Sequence, residues 1–579
     1  MLAGVDMRLL SSIILLFTAW SVIGQDLSNL KSGNTFDVNG NASLSISYNG
    51  VNSSSDSLVN HADSYSIGLR GSLSFLGIVM PMQLNYRKGQ FNASTANPFF
   101  RLGLSPSYKW AKVHLGYRTM QFSKYSLSDI TFFGVGVEIN PGNLRMAAMY
   151  GELKTPNFNL DTLAFHADLI SNYKRKAHGY KLGFGKQRNY FDLFYFKAKD
   201  RYDVADAEEF YITLLPPPEN MVIGFDTRFV LFKKLTAALN INLSAVTNNQ
   251  NASDESIVED LDEGLRKALN SLITVNSTTR ANTAGEASLH WHDKFFNLGI
   301  MYKRIDPNYA SFGIHYVLDD LENYTINGGV RLLKNRVSIN GNVGVQRNNL
   351  KNIRNNTTER IIYNINSNII LKSNAGINLT YSNFAVDQRA GFVMLNDTFR
   401  LVQNTSVISV TPFYNWGGEK TKHSIQVNLN RSLVQDISPL NDLQSNGKTS
   451  AQVINYRREM KSSDWSLGLG LLRNESNFKG ISSERTGGNV VVGKRFSDQG
   501  IQLSLQTGYS ILSLNNEKDG YALNSVLSAS WKINKRASLN ALMGYLNKAS
   551  TISRQYDEIR FSINLAYNLI DTKGNGKEK

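Results

Sequence analysis

At 579 residues with a formal net charge of +15, the chain is long enough for several soluble domains. A mean hydropathy of −0.27 argues against a bundle of membrane-spanning helices and suits a barrel whose every second strand residue faces water. With no cysteine, disulfides, thiolate metal sites and a lipid-modified N-terminal cysteine are excluded. The lysines and arginines form no basic run or recognition motif, so no nucleic-acid partner is expected.

The N-terminus reads as a secretory signal over residues 1–24. Arg8 is the basic region, residues 9–23 are the apolar region, and Val22 and Gly24 are the small residues before a cleavage site at Gln25. Met7 serves equally well as a start. The apolar run is short for an anchor helix, and no later segment approaches a spanning helix in length. Residues 25–35 then form a short periplasmic segment, too small for a plug domain.

From Phe36 to residue 570 the pattern is alternation with period 2, the mark of strands with one apolar and one polar face. The clearest unit is a hairpin. Ile326, Gly328, Val330 and Leu332 alternate with Asn327, Gly329 and Arg331, a turn follows at Lys334-Asn335, and Val337, Ile339, Gly341, Val343 and Val345 return. Residues 133–139, 144–150, 235–245, 425–429, 501–509, 537–545 and 561–569 repeat the pattern. Tight turns are expected near Gly77, Ala111, Pro141, Gln187, Lys233, Asp293, Lys334, Ser373, Gly417, Lys461, Asp498 and Asn534. Longer polar connections separate them, including residues 50–63, 155–177, 200–220, 247–284, 305–322, 387–404 and 434–448. About twelve short and about thirteen long connections imply an all-β fold: a single large antiparallel transmembrane β-barrel of about 26 strands. Short turns are expected in the periplasm and long loops outside the cell. Both termini are then periplasmic, with residues 571–579 as a charged tail. A soluble sandwich has shorter strands and no reason to alternate loop length.

Two residue classes support this partition. Trp110, Trp291, Trp416, Trp465 and Trp531 each fall near a tight turn with apolar parity, as a periplasmic aromatic girdle requires. Arg70, Glu138, Arg145, Asp192, Asp226, Arg228 and Arg331 have polar parity and are expected in the lumen. A lipid-facing arginine or lysine at mid-membrane would cost about 2–4 kcal/mol. Arg431 and Lys494 break the parity near strand ends, where long side chains snorkel.

A barrel this wide encloses a large hole unless loops enter it. In residues 247–284, Ser253 can cap a helix on which Ile257, Leu261, Leu265 and Leu269 share one stripe, a candidate plug, lid or self-capping loop. Residues 305–316 are expected as an ordered loop or inward fold.

The chemical motifs are weak. Gly488 to Lys494 imitates a phosphate loop, but Arg495 stands where a hydroxyl is needed and no helix follows. Asp319, Asp320 and Glu322 have no specific metal-ligand spacing, and no histidine or serine motif indicates catalysis. No catalytic, metal or cofactor site is expected, and no enzyme.

Three stretches, Gly134 to Gly151, Glu219 to Asp226 and Arg304 to Tyr309, together with the asparagine-rich composition, resemble large outer-membrane proteins of the Bacteroidota. The resemblance covers most of the mature chain and implies fold and location; it carries no functional residues. The expected function is a channel or transporter with a loop-restricted lumen. The alternative is a closed barrel that binds or scaffolds a surface or periplasmic protein partner. Outer-membrane lipid and lipopolysaccharide are the other expected partners.

Overall fold

The computed structural model describes residues 36–53, 60–75, 78–89, 100–154, 174–201, 216–252, 271–390, 400–438, 446–550 and 555–568. The signal segment 1–24, residues 25–35, the charged tail and Ile257, Leu261, Leu265 and Leu269 lie outside them.

The strands run β1 (Phe36–Ser53), β2 (Asn60–Phe75), β3 (Ile78–Gly89), β4 (Phe100–Leu104), β5 (Ser107–Tyr108), β6 (Ala111–Thr119), β7 (Thr131–Ile139), β8 (Leu144–Lys154) and β9 (Lys174–Lys186). They continue with β10 (Asn189–Arg201), β11 (Glu219–Leu231), β12 (Leu235–Thr247), β13 (Thr279–His292), β14 (Phe296–Ile305), β15 (Leu321–Leu332), β16 (Val337–Arg347), β17 (Asn356–Lys372) and β18 (Ala375–Ala390). The last third comprises β19 (Leu401–Gly417), β20 (Thr421–Asp436), β21 (Gly447–Met460), β22 (Trp465–Phe478), β23 (Ile481–Phe496), β24 (Ile501–Leu514), β25 (Glu517–Lys532), β26 (Ala537–Ser550) and β27 (Tyr556–Asn568).

Sequence neighbours pair antiparallel around the sheet, and β27 pairs back onto β1 from Asn41↔Asn568 to Ser53↔Tyr556, so the sheet closes. β4 and β5 are one stave interrupted at Ser105-Pro106, which makes the wall a 26-strand antiparallel barrel. Closure answers a physical demand: lipid cannot satisfy a free row of N–H and C=O groups.

The hairpin centred on Lys334 pairs as its alternation requires, with Gly328↔Gly341 and Val330↔Ile339. Its apolar positions join a row across β13–β17, Leu289, Ile300, Ile326, Val343 and Tyr363. Side chains on that row from Leu289 to Val343 are 46–53% exposed, an outward apolar surface too extensive for a water-soluble monomer. The facing rows carry asparagine, serine and charge.

One barrel end holds only connections of two to four residues, from 76–77 to 533–536. The other holds the long connections, with a correction: the β22–β23 and β24–β25 hairpins end there in two-residue turns, Lys479-Gly480 and Asn515-Asn516. All four turn residues have positive φ, the type I′ geometry whose twist matches the strands. The strict short–long alternation therefore fails. Strands of 14–16 residues here exceed the roughly 9–11 needed to span, and the surplus length replaces the loop.

Closure makes a direct prediction. Leu44 and Leu565 are register partners across the β1–β27 seam, and the chain is otherwise free of cysteine. Leu44→Cys with Leu565→Cys should form a disulfide on mild oxidation, read as a single internally crosslinked species by mass spectrometry; an unreactive pair would deny the closed seam.

Candidate functional site

Two of the long-end connections turn into the barrel. Residues 120–130 join β6 to β7, and residues 306–320 join β14 to β15. Inside, they bind each other. Tyr309 Oη donates to Tyr125 O at 2.7 Å, Ser311 Oγ to Ser126 O at 2.6 Å, and Ser128 N to Gly313 O at 2.9 Å.

The wall receives them through both apolar and polar contacts. Met120, Phe122 and Leu127 are buried with Phe132, Met149, Phe194, Phe196 and Val222, all at inward positions of β7–β11. These inward apolar residues correct the expectation of a uniformly polar lumen: where a connection covers the wall, the wall is a small protein core. Glycine makes the room. A Cβ on Gly179 would stand 2.5 Å from Phe122 Cε2, and one on Gly136 would strike Met120. On the polar side, Ser123 Oγ lies 3.0 Å from the Asn240 and Asn242 carbonyl oxygens. Lys124 Nζ and Tyr125 Oη reach Glu286 at 2.7 and 2.9 Å. The second connection hangs from Asn220, whose Oδ1 accepts from Phe312 N at 3.0 Å, and from Ser244 Oγ, which donates to Ala310 O at 2.5 Å. Arg175 is held bidentately by Asp200, at 2.6 and 2.8 Å, and stacks 3.8 Å over the Phe312 ring.

Burial, with the Glu286 charge beside it, pushes the Tyr125 phenol far above its ordinary range, and burial alone raises Tyr309. Both remain donors at any physiological pH. Burial pushes the Asp306 carboxyl up, but the Thr283 hydroxyl and amide and Arg304 outweigh it, leaving the group below its ordinary value.

Beneath the first connection, toward the short-turn end, lies a polar recess of about 520 Å³. Gln121, Phe122, Ser123 and Lys124 form its roof. Of the seven lumen charges expected from parity, four line it: Arg145, Asp192, Asp226 and Arg228. Arg145 clasps Asp192 at 2.7 and 2.8 Å and lies 4.6 Å over the Tyr190 ring, and Tyr190 Oη donates to Asp226 at 3.0 Å. Lys181, Glu286, Ser288 and His290 also line it, with Thr236 and Asn240 of β12 between them, none of them singled out by the sequence. Their signal was present as polar parity, but parity does not say which strands stand behind an inward loop.

Glu138 lies apart from the recess, in a chain that sequence reading missed. Ser105 Oγ is 3.0 Å from His114 Nδ1, and His114 Nε2 is 2.7 Å from Glu138 Oε1. The order resembles a nucleophile relay, but Ser105 and His114 are buried while Glu138 reaches the lumen, the inverse of what an attacking serine needs. Its setting explains it: the stave breaks here, Pro81 and Pro106 lack N–H groups, and Arg118 caps the Pro81 and Gly103 carbonyls. The chain ties broken β4–β5 to β7. Arg70, opposite Asn41 and Gln83, and Arg331, opposite Ser338, stand elsewhere on the wall.

The tryptophans stand near the short-turn end. Trp291, Trp416, Trp465 and Trp531 occupy outward rows, and Trp110 is an exposed turn residue. Trp416 stacks on His423 with centroids 5.2 Å apart, and Lys494 covers Trp465 at 5.1 Å. Of the 247–284 connection, the described residues 271–276 pack on the outside of the wall. Lys197 Nζ donates to Leu272 O at 2.7 Å, and Thr247 Oγ1 to Thr274 O at 2.6 Å, both from outward positions. The acidic trio is taken by arginine: Asp319 and Asp320 by Arg354, Glu322 by Arg347.

Neither a protein-family model nor a curated protein matches this sequence. Solved structures overlap it loosely. The translocation pore of the P pilus usher PapC is 12% identical with a TM-score of 0.35, covering 93% of this chain and all of that one. OccAB2 of Acinetobacter baumannii is 9% identical with a TM-score of 0.30, over 68% of this chain and 98% of that one. OpdK of Pseudomonas aeruginosa, solved with vanillate, is 10% identical with a TM-score of 0.29, over 68% and 98%. Overlaps of this size assign neither substrate nor partner.

Two outcomes test the docked connections. Gly179→Val should displace Phe122, at an overpacking cost of about 1–3 kcal/mol. It should speed limited proteolysis within residues 120–130 while the barrel still migrates as folded on unheated gels; an unchanged cleavage rate removes the docked geometry. The depressed Asp306 carboxyl stabilises its contacts above the unfolded value of about 3.9, and that contribution is lost as pH falls through the lower folded value. Protection of the Thr283 amide, measured against its intrinsic exchange rate at each pH, should thus hold at pH 5 and fall only below about pH 4, an effect absent from Asp306→Asn.

Proposed function

We propose that this chain is an outer-membrane channel or transporter whose lumen is narrowed by residues 120–130 and 306–320, with solutes passing the charged recess beneath them. The observation that carries the reading is that roof. A connection tied to β13 through Lys124, Tyr125 and Glu286 stands over a polar recess at an inward-facing site. In this reading the short-turn end and both termini face the periplasm, and the signal over residues 1–24 directs export. The likeness to Bacteroidota barrels supplies the expected lineage. Passage is its function, and no turnover is assigned to it.

The recess carries Lys124, Arg145, Lys181 and Arg228 against Asp192, Asp226 and Glu286. Charges of both signs gathered on neighbouring strands beneath the roof favour polar and charged solutes over apolar ones.

Planar-bilayer recording tests this. The full chain should conduct in small steps, and replacing residues 121–128 by a glycine-serine linker should raise the step severalfold. Arg228→Glu should move ion preference toward cations. A barrel that stays sealed in both forms, and moves no solute in liposomes, would sink the channel and favour the scaffold barrel instead.

A further inference from the structure

Cross-strand pairing on the outer face of β9 and β10 sets cation against cation. Lys174 stands opposite Arg201, and Lys176 opposite Lys199. Their parity is outward: on β9 they share it with half-exposed Tyr180, Leu182 and Phe184, on β10 with Phe191 and Leu193. Like charges directly opposite on a sheet are destabilising, and here two such pairs follow one another along the ladder. The acids nearby relieve only part of this. Glu152 on β8 and Glu219 on β11 are the register partners of Lys176 and Lys199, but their carboxylates turn to other lysines, Glu152 to Lys174 at 3.2 Å and Glu219 to Lys197 at 2.7 Å. Lys176, Lys199 and Arg201 have no ion-pair partner among the described residues.

The height of the array is informative. Tyr195 lies opposite Tyr180, their rings stacked with centroids 6.4 Å apart, and Tyr150 and His178 are register partners one row higher. Such a belt marks the boundary of the hydrocarbon. Lys199 is four residues beyond Tyr195 on β10, roughly 13 Å along the strand at about 3.3 Å per residue, and less along the normal of a tilted strand. That is the depth of headgroup phosphates.

We propose that Lys176, Lys199 and Arg201, with Lys174, form a binding site for the phosphate groups of a lipid in the leaflet at the long-loop end. A bridging phosphate turns both repulsive pairs into attractive ones. The ammonium groups supply point charge, and the Arg201 guanidinium supplies a fork that fits two phosphate oxygens. Charge complementarity and depth together select a lipid phosphate over a free anion. The proposal rests on the membrane reading given above but uses no lumen residue.

The test reconstitutes the full chain in phosphatidylcholine vesicles containing a minor fraction of diphosphorylated lipid A. Co-purifying lipid is measured by native mass spectrometry, and conductance from the same vesicles. The wild type should retain lipid A in preference to phosphatidylcholine. Lys176→Gln with Lys199→Gln, and separately Arg201→Gln, should weaken that preference about fivefold per cation removed. Lys461→Gln at the opposite barrel end should not, and unheated-gel migration confirms that each variant is folded. Equal retention by wild type and variants, with conductance intact, overturns the lipid site and leaves the channel reading standing. Loss of conductance with lipid preference kept does the reverse. Full displacement of lipid A by millimolar inorganic phosphate would replace the lipid assignment with a free-anion site.

Discussion

A sheet immersed in lipid cannot leave an edge, because hydrocarbon offers no partner to an unpaired N–H or C=O. The pairing of β1 with β27 meets that constraint, and most of the architecture follows from it. Once the ring is closed, every strand has one face toward acyl chains and one toward an enclosed interior, so period-2 alternation becomes obligatory along each stave. Where the ladder falters, at Pro81, Gly103 and Pro106, side chains take over the missing bonds. Arg118 caps carbonyls, and the Ser105–His114–Glu138 chain ties the broken stave to its neighbours.

The second constraint is volume. A ring of this many strands is too wide for wall side chains to fill, and part of the interior is instead occupied by chain. Residues 120–130 and 306–320 are held as the interior of a soluble protein is held: rings buried against glycine, the Ala310 backbone carbonyl capped by Asn220 and Ser244, and one carboxylate, Glu286, taking two donors. Polar groups satisfied this widely, the buried Ser126 hydroxyl apart, give a defined position and not a wandering loop. The recess beneath inherits that definition, because its roof and its walls are fixed to each other.

The outer surface obeys the same logic with different partners. Lys197, Glu219 and Thr247 would be poorly placed against lipid, and residues 271–276 cover them with backbone carbonyls and amides. The cation pairs of β9 and β10 lie beyond the stacked tyrosines, toward the long-loop end. Polar residues on an outward row are thus tolerated where chain, water or headgroup meets them, and outward rows nearer the middle of the barrel carry leucine, isoleucine and valine.

Alternation and turn chemistry are local properties, and they suffice for class, strand number and the division between the two faces. Gly328, Val330 and Arg331 declare their faces from spacing alone, and the structure pairs them accordingly. Inward or outward parity likewise marked Arg145, Asp192, Asp226 and Arg228 as a class. Which of those charges would meet was undetermined, since spacing along one strand is silent about a loop contributed from elsewhere. Phe132, Phe194 and Phe196 read as breaks in a polar face until Met120 and Phe122 are seen packed on them. Ser105 at the stave break, His114 on β6 and Glu138 on β7 acquire a relation only through cross-strand register. Local period determined what this chain is made of; long-range closure and the folding of two connections into the ring decided where its chemistry gathers, because those contacts join residues that no window of sequence holds together.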